Sequence, residues 1–211
     1  MPALGRLYLL FTPELCPRDP VSALDAALDG GVDLVQWRSK QPNRGLFEQA
    51  RARCADRRIP LIVNDDVMLA VRNHCPGAHV GQEDMPADAA RKLMFGQTLG
   101  VSTHDLDQIR AAHRAGADYV GFGPCHPTAT KGYTEGLDDD AIAAAAELCD
   151  ELRLPMFAIG GITPANLPRL VMLGVDRIAV SSFILQHADP RKAVEDLRKL
   201  CLLYTSDAAD E

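Results

Sequence analysis

The 211-residue chain is predicted to fold as one α/β domain, a single-domain (β/α)8 TIM barrel. Three observations predict it. Eight short apolar runs recur along the sequence, Ala-rich charged segments with helical spacing lie between them, and no G-x-G-x-x-G follows an early run. Strands alternating with helices imply a parallel sheet with crossover helices. Eight units in about 200 residues suit a closed barrel at the short end of its size range. An open doubly wound sheet is the competing fold, and it usually carries that glycine signature.

LYLLF (7–11) is the first strand. VSALDAALDG (21–30) has helical spacing and stops at Gly30-Gly31, where glycine can take the left-handed turn that ends a helix. VDLVQW (32–37), PLIVN (60–64), GAHVG (77–81) and TLGVS (98–102) are the next four strands. DLDQIRAAHRAG (105–116) is a helix with Asp105 as N-cap and Gly116 as terminator. ADYVGF (117–122) is strand six, and it runs into GPCHPTATKG (123–132). The glycines and prolines of that stretch block regular hydrogen bonding and mark a bend. DDDAIAAAAELCDEL (138–152) is helical, and PMFAIG (155–160) is strand seven. In TPANLPRLVMLG (163–174), Thr163 is the expected N-cap, Pro164 the first helical residue and Gly174 the terminator. DRIAVS (176–181) is strand eight. The last crossover helix is expected to finish near Leu200. The barrel domain then spans 1–200, and CLLYTSDAADE (201–211) is expected to be a disordered or foreign tail.

A chain that is 47% hydrophobic can bury a sizeable core. Its net charge of −7 argues against general nucleic-acid binding but leaves room for a local basic pocket. No two of the six cysteines form a C-x-x-C pair, so a zinc ribbon or thioredoxin-like site is not expected, and reduced thiols in a cytosol are the simplest reading. No run reaches the roughly 18 apolar residues of a membrane span. The expectation is a cytoplasmic protein with small-molecule substrates and neither nucleic-acid nor membrane partners; a homo-oligomer is left open.

In such barrels chemistry sits at the C-terminal ends of the strands. Strand two ends in Gln36-Trp37-Arg38-Ser39-Lys40, strand three in Asn64-Asp65-Asp66, strand four in Gly81-Gln82-Glu83-Asp84 and strand five in Ser102-Thr103-His104. Strand six runs into Thr128-Ala129-Thr130-Lys131, strand seven ends in Gly160-Gly161 and strand eight in Ser181-Ser182. Barrel closure would gather Arg38, Lys40 and Lys131 beside Asp65 and Asp84. The cations alone would bind an anion, and the carboxylates alone would repel it. Mg²⁺, held by one or two carboxylates plus substrate phosphates, reconciles the two sets. Gly160-Gly161 and Ser181-Ser182 offer a second anion site of the kind usual after strands seven and eight. Two phosphate-bearing substrates in one mouth point to group transfer between them.

The stretches QWRSK (36–40), VNDDVMLA (63–70), HVGQEDMP (79–86), GADYVGFGP (116–124), TATK (128–131), AIGGI (158–162) and AVSS (179–182) together resemble the thiamine-phosphate synthase family, from about Tyr8 to Leu200. The resemblance implies a Mg²⁺-dependent transferase joining a hydroxymethylpyrimidine diphosphate to a thiazole phosphate. The products are thiamine phosphate and pyrophosphate, with CO₂ when the thiazole carries a carboxylate. By that resemblance Gln36, Arg38, Lys40, Ser102 and Lys131 hold the pyrimidine diphosphate, with Trp37 and Ser39 in the same stretch. Asn64 contacts the pyrimidine, and Asp65 and Asp84 ligate magnesium. Thr128, Ala129 and Thr130 meet the thiazole, and Gly160 or Gly161 with Ser181 and Ser182 hold its phosphate. Arg38, Lys40, Ser102 and Lys131 are the expected catalytic set.

Two departures stand out. Ser39 occupies a position where the family usually has Glu, which removes a negative charge beside two cations, and Cys125-His126 replaces a hydrophobic pair. A related thiazole tautomerase uses a His in this loop, so an isomerase is the competing enzyme. A non-catalytic thiamine-phosphate-binding relative is another alternative. A phosphosugar epimerase would share only the phosphate site after strands seven and eight.

Overall fold

The computed structural model describes residues 4–41, 43–127 and 135–206, with the side chains of 201–206 left undescribed. Eight parallel strands close into a barrel in chain order: β1 (Leu7–Phe11), β2 (Leu34–Trp37), β3 (Leu61–Asn64), β4 (Gly77–Val80), β5 (Thr98–Thr103), β6 (Tyr119–Phe122), β7 (Met156–Ile159) and β8 (Ile178–Val180). β1 pairs with both β2 and β8, which completes the closure. The helices are α1 (Pro20–Gly30), α2 (Arg44–Asp56), α3 (Val67–Arg72), α4 (Ala87–Leu93), α5 (Leu106–Arg114), α6 (Asp139–Glu151), α7 (Leu167–Met172), α8 (Ser182–Leu185) and α9 (Pro190–Ser206). No described helix is long and apolar enough to cross a membrane.

Successive strand residues point to opposite faces, and this divides the core in two. Tyr8, Leu10, Leu34, Ile62, Tyr119, Phe157 and Ala179 fill the inside of the barrel. Leu7, Leu9, Phe11, Val35, Trp37, Leu61 and Val63 face outward under the helices.

Strands two and six start later than their apolar runs because an aspartate has other work. Asp33 Oδ2 accepts the Arg6 and Leu7 amides at 2.8 and 2.9 Å, and Arg198 donates to its other oxygen at 3.1 Å. Asp118 plays the same part between β5 and β6, taking the Leu99 amide at 2.7 Å and Arg91 at 2.9 Å. Both carboxylates tie the first amides of one strand to the residue that leads into the next.

Helix ends follow the sequence reading in part. Asp105 caps α5 by accepting the Gln108 amide at 2.8 Å. Gly31, Gly116 and Gly174 take the left-handed conformation, at φ 98°, 82° and 86°. The start of α7 differs. Its N-cap position is Asn166, not Thr163, and Pro164 precedes the helix. Asn166 turns back instead, with Oδ1 accepting the Thr163 amide at 2.8 Å and Nδ2 donating to the Gly161 carbonyl at 2.9 Å. That brace holds the turn after β7 and delays the helix.

The backbone of α9 also runs to Ser206, six residues beyond the expected stop at Leu200. Residues 207–211 lie outside the described residues. Truncation after Leu200 is expected to leave melting temperature and activity nearly unchanged, because the last residues of a domain commonly add little to its stability. A fall of many degrees in a thermal melt would show that 201–206 belong to the folded unit.

Candidate active site

A cavity opens at the C-terminal mouth of the barrel. Eight of the residues expected there line it: Gln36, Arg38, Asn64, Ser102, Gly160, Gly161, Ser181 and Ser182. Gln36, from the inward face of β2, is 3% exposed. Ser181 donates to the Leu10 carbonyl at 2.8 Å, which anchors the turn into α8. Gly160 and Gly161 sit at φ 104° and 59°. A Cβ at Gly161 would lie 2.5 Å from the Pro127 carbonyl oxygen, so a side chain there would collide with the loop that follows β6. Gly161→Ala is expected to cost at least about 1–2 kcal/mol, the strain of a left-handed non-glycine residue. Urea unfolding measures it, and an unchanged midpoint would mean that the loop yields freely.

Ser39 and Lys40 line a second cavity that shares Asn64 with the first. A carboxylate reaches Ser39 from another strand end. Glu14, in the 3-10 turn Pro13–Leu15 after β1, accepts the Ser39 hydroxyl at 2.6 Å and the Lys40 amide at 3.0 Å. Burial pushes the Glu14 carboxyl up, but these hydrogen bonds outweigh it and hold the group below its ordinary value. A negative charge therefore stands beside the Arg38–Lys40 loop after all.

Trp37 points out of the barrel, 5% exposed, with ring centroids 5.9 Å from Phe11 and 5.5 Å from Phe47. Alternation along β2 turns Gln36 inward and therefore turns Trp37 outward. It supports the wall beneath the loop and lines the second cavity.

The two aspartates expected to bind metal are held at neighbouring strand ends. Asp65 follows β3 at φ 63°, and its amide donates to the His79 carbonyl on β4 at 2.8 Å. Asp84 Oδ2 accepts the Gly81 amide, just past β4, at 2.7 Å. Asp66 is occupied as the cap of α3, taking the Leu69 amide at 2.8 Å. Among the described residues no cluster of three or more His, Cys, Asp or Glu gathers as a ready-made metal cage.

Thr128, Ala129, Thr130 and Lys131 lie outside the described residues. The loop that carries them leaves the barrel at the mouth, since Gly123 and Pro124 line the main cavity. Cys125 is buried, and burial pushes its thiol up to about 11, so it is no nucleophile at neutral pH. His126 is lowered below its ordinary value by burial and then by Arg169, whose guanidinium nitrogen is 3.4 Å from Nδ1. Arg169 is in turn paired with Asp139.

Two phenols at the cavity, one lining it and one behind it, escaped the sequence reading. Tyr8 lines the cavity, and Tyr119 lies behind it, bonded to His79 at 3.1 Å. Each is an inward position in an apolar strand, and a phenol there was the available signal. His79 bonds the Ser102 hydroxyl at 2.9 Å, and His104 bonds the Gly123 carbonyl, so both histidines are packed into the mouth.

The sequence profile of the family described as thiamine monophosphate synthase matches residues 7–184. The chain is 41% identical over 206 residues to the thiamine-phosphate synthase of Synechococcus sp. (strain WH7803), covering 93% of this chain and 57% of that protein. It is 36% identical over 209 residues to the thiamine-phosphate synthase of Bacillus velezensis, covering 92% and 91%. Its fold matches the solved structure of thiamine phosphate pyrophosphorylase from Pyrococcus furiosus with a TM-score of 0.83 at 29% identity, over 94% of this chain and 96% of that one. The chain thus spans just over half the length of the cyanobacterial relative and nearly all of the Bacillus one. A profile match over most of the barrel, joined to relatives of this identity, places the chain in the thiamine monophosphate synthase family.

Proposed function

We propose that the protein is a thiamine-phosphate synthase, a transferase that condenses 4-amino-2-methyl-5-(diphosphooxymethyl)pyrimidine with a thiazole phosphate. One observation carries this reading. A single cavity holds Gln36, Arg38, Asn64 and Ser102 together with the backbone turn Gly160-Gly161 and the hydroxyls Ser181 and Ser182. The first group suits a pyrimidine and its diphosphate, and the second suits the phosphate of a partner.

In the reaction the bond between the pyrimidine methylene carbon and the diphosphate oxygen breaks, and that oxygen takes the electron pair. The thiazole nitrogen then bonds to the methylene carbon. If the thiazole bears a carboxylate, its carbon–carbon bond breaks and CO₂ leaves. Arg38, Lys40, Ser102 and Lys131 stabilise the charge that gathers on the departing diphosphate, which is where preorganised donors act most strongly. Asn64 orients the pyrimidine. Thr128, Ala129 and Thr130 meet the thiazole, and Gly160, Gly161, Ser181 and Ser182 hold its phosphate.

Asp65 and Asp84 suit Mg²⁺. They are hard oxygen donors, tethered by backbone hydrogen bonds to adjacent strand ends, and two carboxylates plus substrate phosphates are what that ion takes. Bound Mg²⁺ would supply further neutralisation of the diphosphate.

A cytoplasmic setting accords with the described cysteines, Cys16, Cys54, Cys75, Cys125 and Cys149, all of which are free thiols. The direct test mixes the protein with both substrates and Mg²⁺. Thiamine phosphate and pyrophosphate in equal amounts are expected, and no product would refute the assignment.

A further inference from the structure

Five side chains form one hydrogen-bonded row across the barrel interior. Gln36 Nε2 donates to the Tyr8 hydroxyl at 3.0 Å, and the Tyr8 and Tyr119 hydroxyls are 2.9 Å apart. Tyr119 meets His79 Nδ1 at 3.1 Å, and His79 Nε2 meets Ser102 Oγ at 2.9 Å. Gln36, Tyr8, His79 and Ser102 line the cavity, and Tyr119 stands behind them. The middle three are enclosed, at 1%, 0% and 6% exposure for Tyr8, Tyr119 and His79. Gly100 makes room for them, since a Cβ there would lie 2.2 Å from the Tyr119 ring and 2.4 Å from His79 Nδ1.

The direction of the row follows from counting protons. Burial raises both phenols well above the ordinary tyrosine range, so each keeps its O–H. With Gln36 donating into the first link, three links remain: Tyr8–Tyr119, Tyr119–His79 and His79–Ser102. With His79 taken in its neutral form, four protons are available for them, from the Tyr8, Tyr119 and Ser102 hydroxyls and the one imidazole N–H. If every link runs from Gln36 toward Ser102, all three are filled and the spare proton is on Ser102. Any other filling leaves the O–H of Tyr8 or Tyr119 without an acceptor in the row, and at 1% and 0% exposure an unspent donor is costly. Ser102, at the cavity wall, can turn its spare O–H to a ligand.

We propose that Tyr8, Tyr119 and His79 are positioning residues that hold His79 as its Nε2–H tautomer, which leaves the Ser102 hydroxyl proton to an anion in the cavity. The proposal rests on the reading of that cavity as a diphosphate site. The opposite direction would turn Ser102 lone pairs toward the phosphate oxygens. Links aligned in one direction also polarise each other, which strengthens the terminal donor.

Nitrogen-15 NMR of histidine-labelled protein tests the tautomer without any substrate, with His79→Gln assigning the signals. A protonated Nε2 and a bare Nδ1 are expected. A protonated Nδ1 with a bare Nε2 overturns the proposal, even if anions bind. Tyr119→Phe, which removes one oxygen from the row, is expected to release the tautomer preference. It is also expected to weaken binding of inorganic pyrophosphate, measured with Mg²⁺ present, by on the order of tenfold, the scale of one hydrogen bond to a charged group. Unchanged tautomer and unchanged pyrophosphate affinity in that variant refute the positioning role. An intact protein that binds no pyrophosphate overturns the anion assignment and the diphosphate reading with it, whichever tautomer is found.

Discussion

Lys131→Ala is expected to lower the rate of thiamine phosphate formation by on the order of a hundredfold or more, as the loss of a preorganised charge stabiliser does. The lysine follows Thr128-Ala129-Thr130 in a loop whose stem, Gly123-Pro124, lines the cavity. Its proposed work is electrostatic: a positive charge beside the diphosphate as the carbon–oxygen bond opens. His126→Ala is expected to matter far less. Its imidazole is partly buried beside Arg169 and held below the ordinary histidine value, so it stays neutral at neutral pH, and the proposed reaction needs no proton carrier there. A thiazole tautomerase would reverse the ranking, because a neutral imidazole near a substrate is a ready base. Single-turnover assays of both variants, run for both reactions, separate the two. Full synthase activity in the Lys131 variant with loss in the His126 variant would overturn the proposed function.

Asp84→Ala is expected to bring a loss of similar size, and excess chelator should do the same to the unaltered protein. The carboxylate is held at the end of β4 by the Gly81 amide at 2.7 Å, one strand away from Asp65. Removing it leaves one proposed metal ligand and an unmet charge on the diphosphate. A titration with Mg²⁺ provides the check. The variant should need far more metal to reach its own maximum, and Asp65→Ala should behave alike. Activity that persists in chelator, or a metal requirement that neither substitution moves, would sink the metal assignment.

The sequence by itself determined the barrel. Eight apolar runs, the helical segments between them and the left-handed glycines Gly31, Gly116 and Gly174 are local patterns with periods the backbone imposes. The polar strand endings were legible for the same reason: once strands are parallel, their C-terminal ends must share one mouth, and Gln36, Arg38, Asn64, Ser102, Gly161 and Ser182 do share it.

What only the tertiary structure decided depends on which face a buried residue takes and on meetings across long stretches of chain. All four residues of β2 are buried, so the run LVQW carries no polarity pattern to say that Gln36 looks inward and Trp37 outward. Tyr8 and Tyr119 are 111 residues apart, and only closure of the barrel brings their hydroxyls together. Glu14 returns a charge to the Ser39 loop from a different strand end, 25 residues away in sequence. Asp33 and Asp118 read as strand residues until their carboxylates are seen taking amides from neighbouring strands. Asn166 likewise took the start of α7 from Thr163 because its amide braces the Gly161 turn. In each case a polar group chose a distant partner, because a buried donor or acceptor must find one somewhere in the fold.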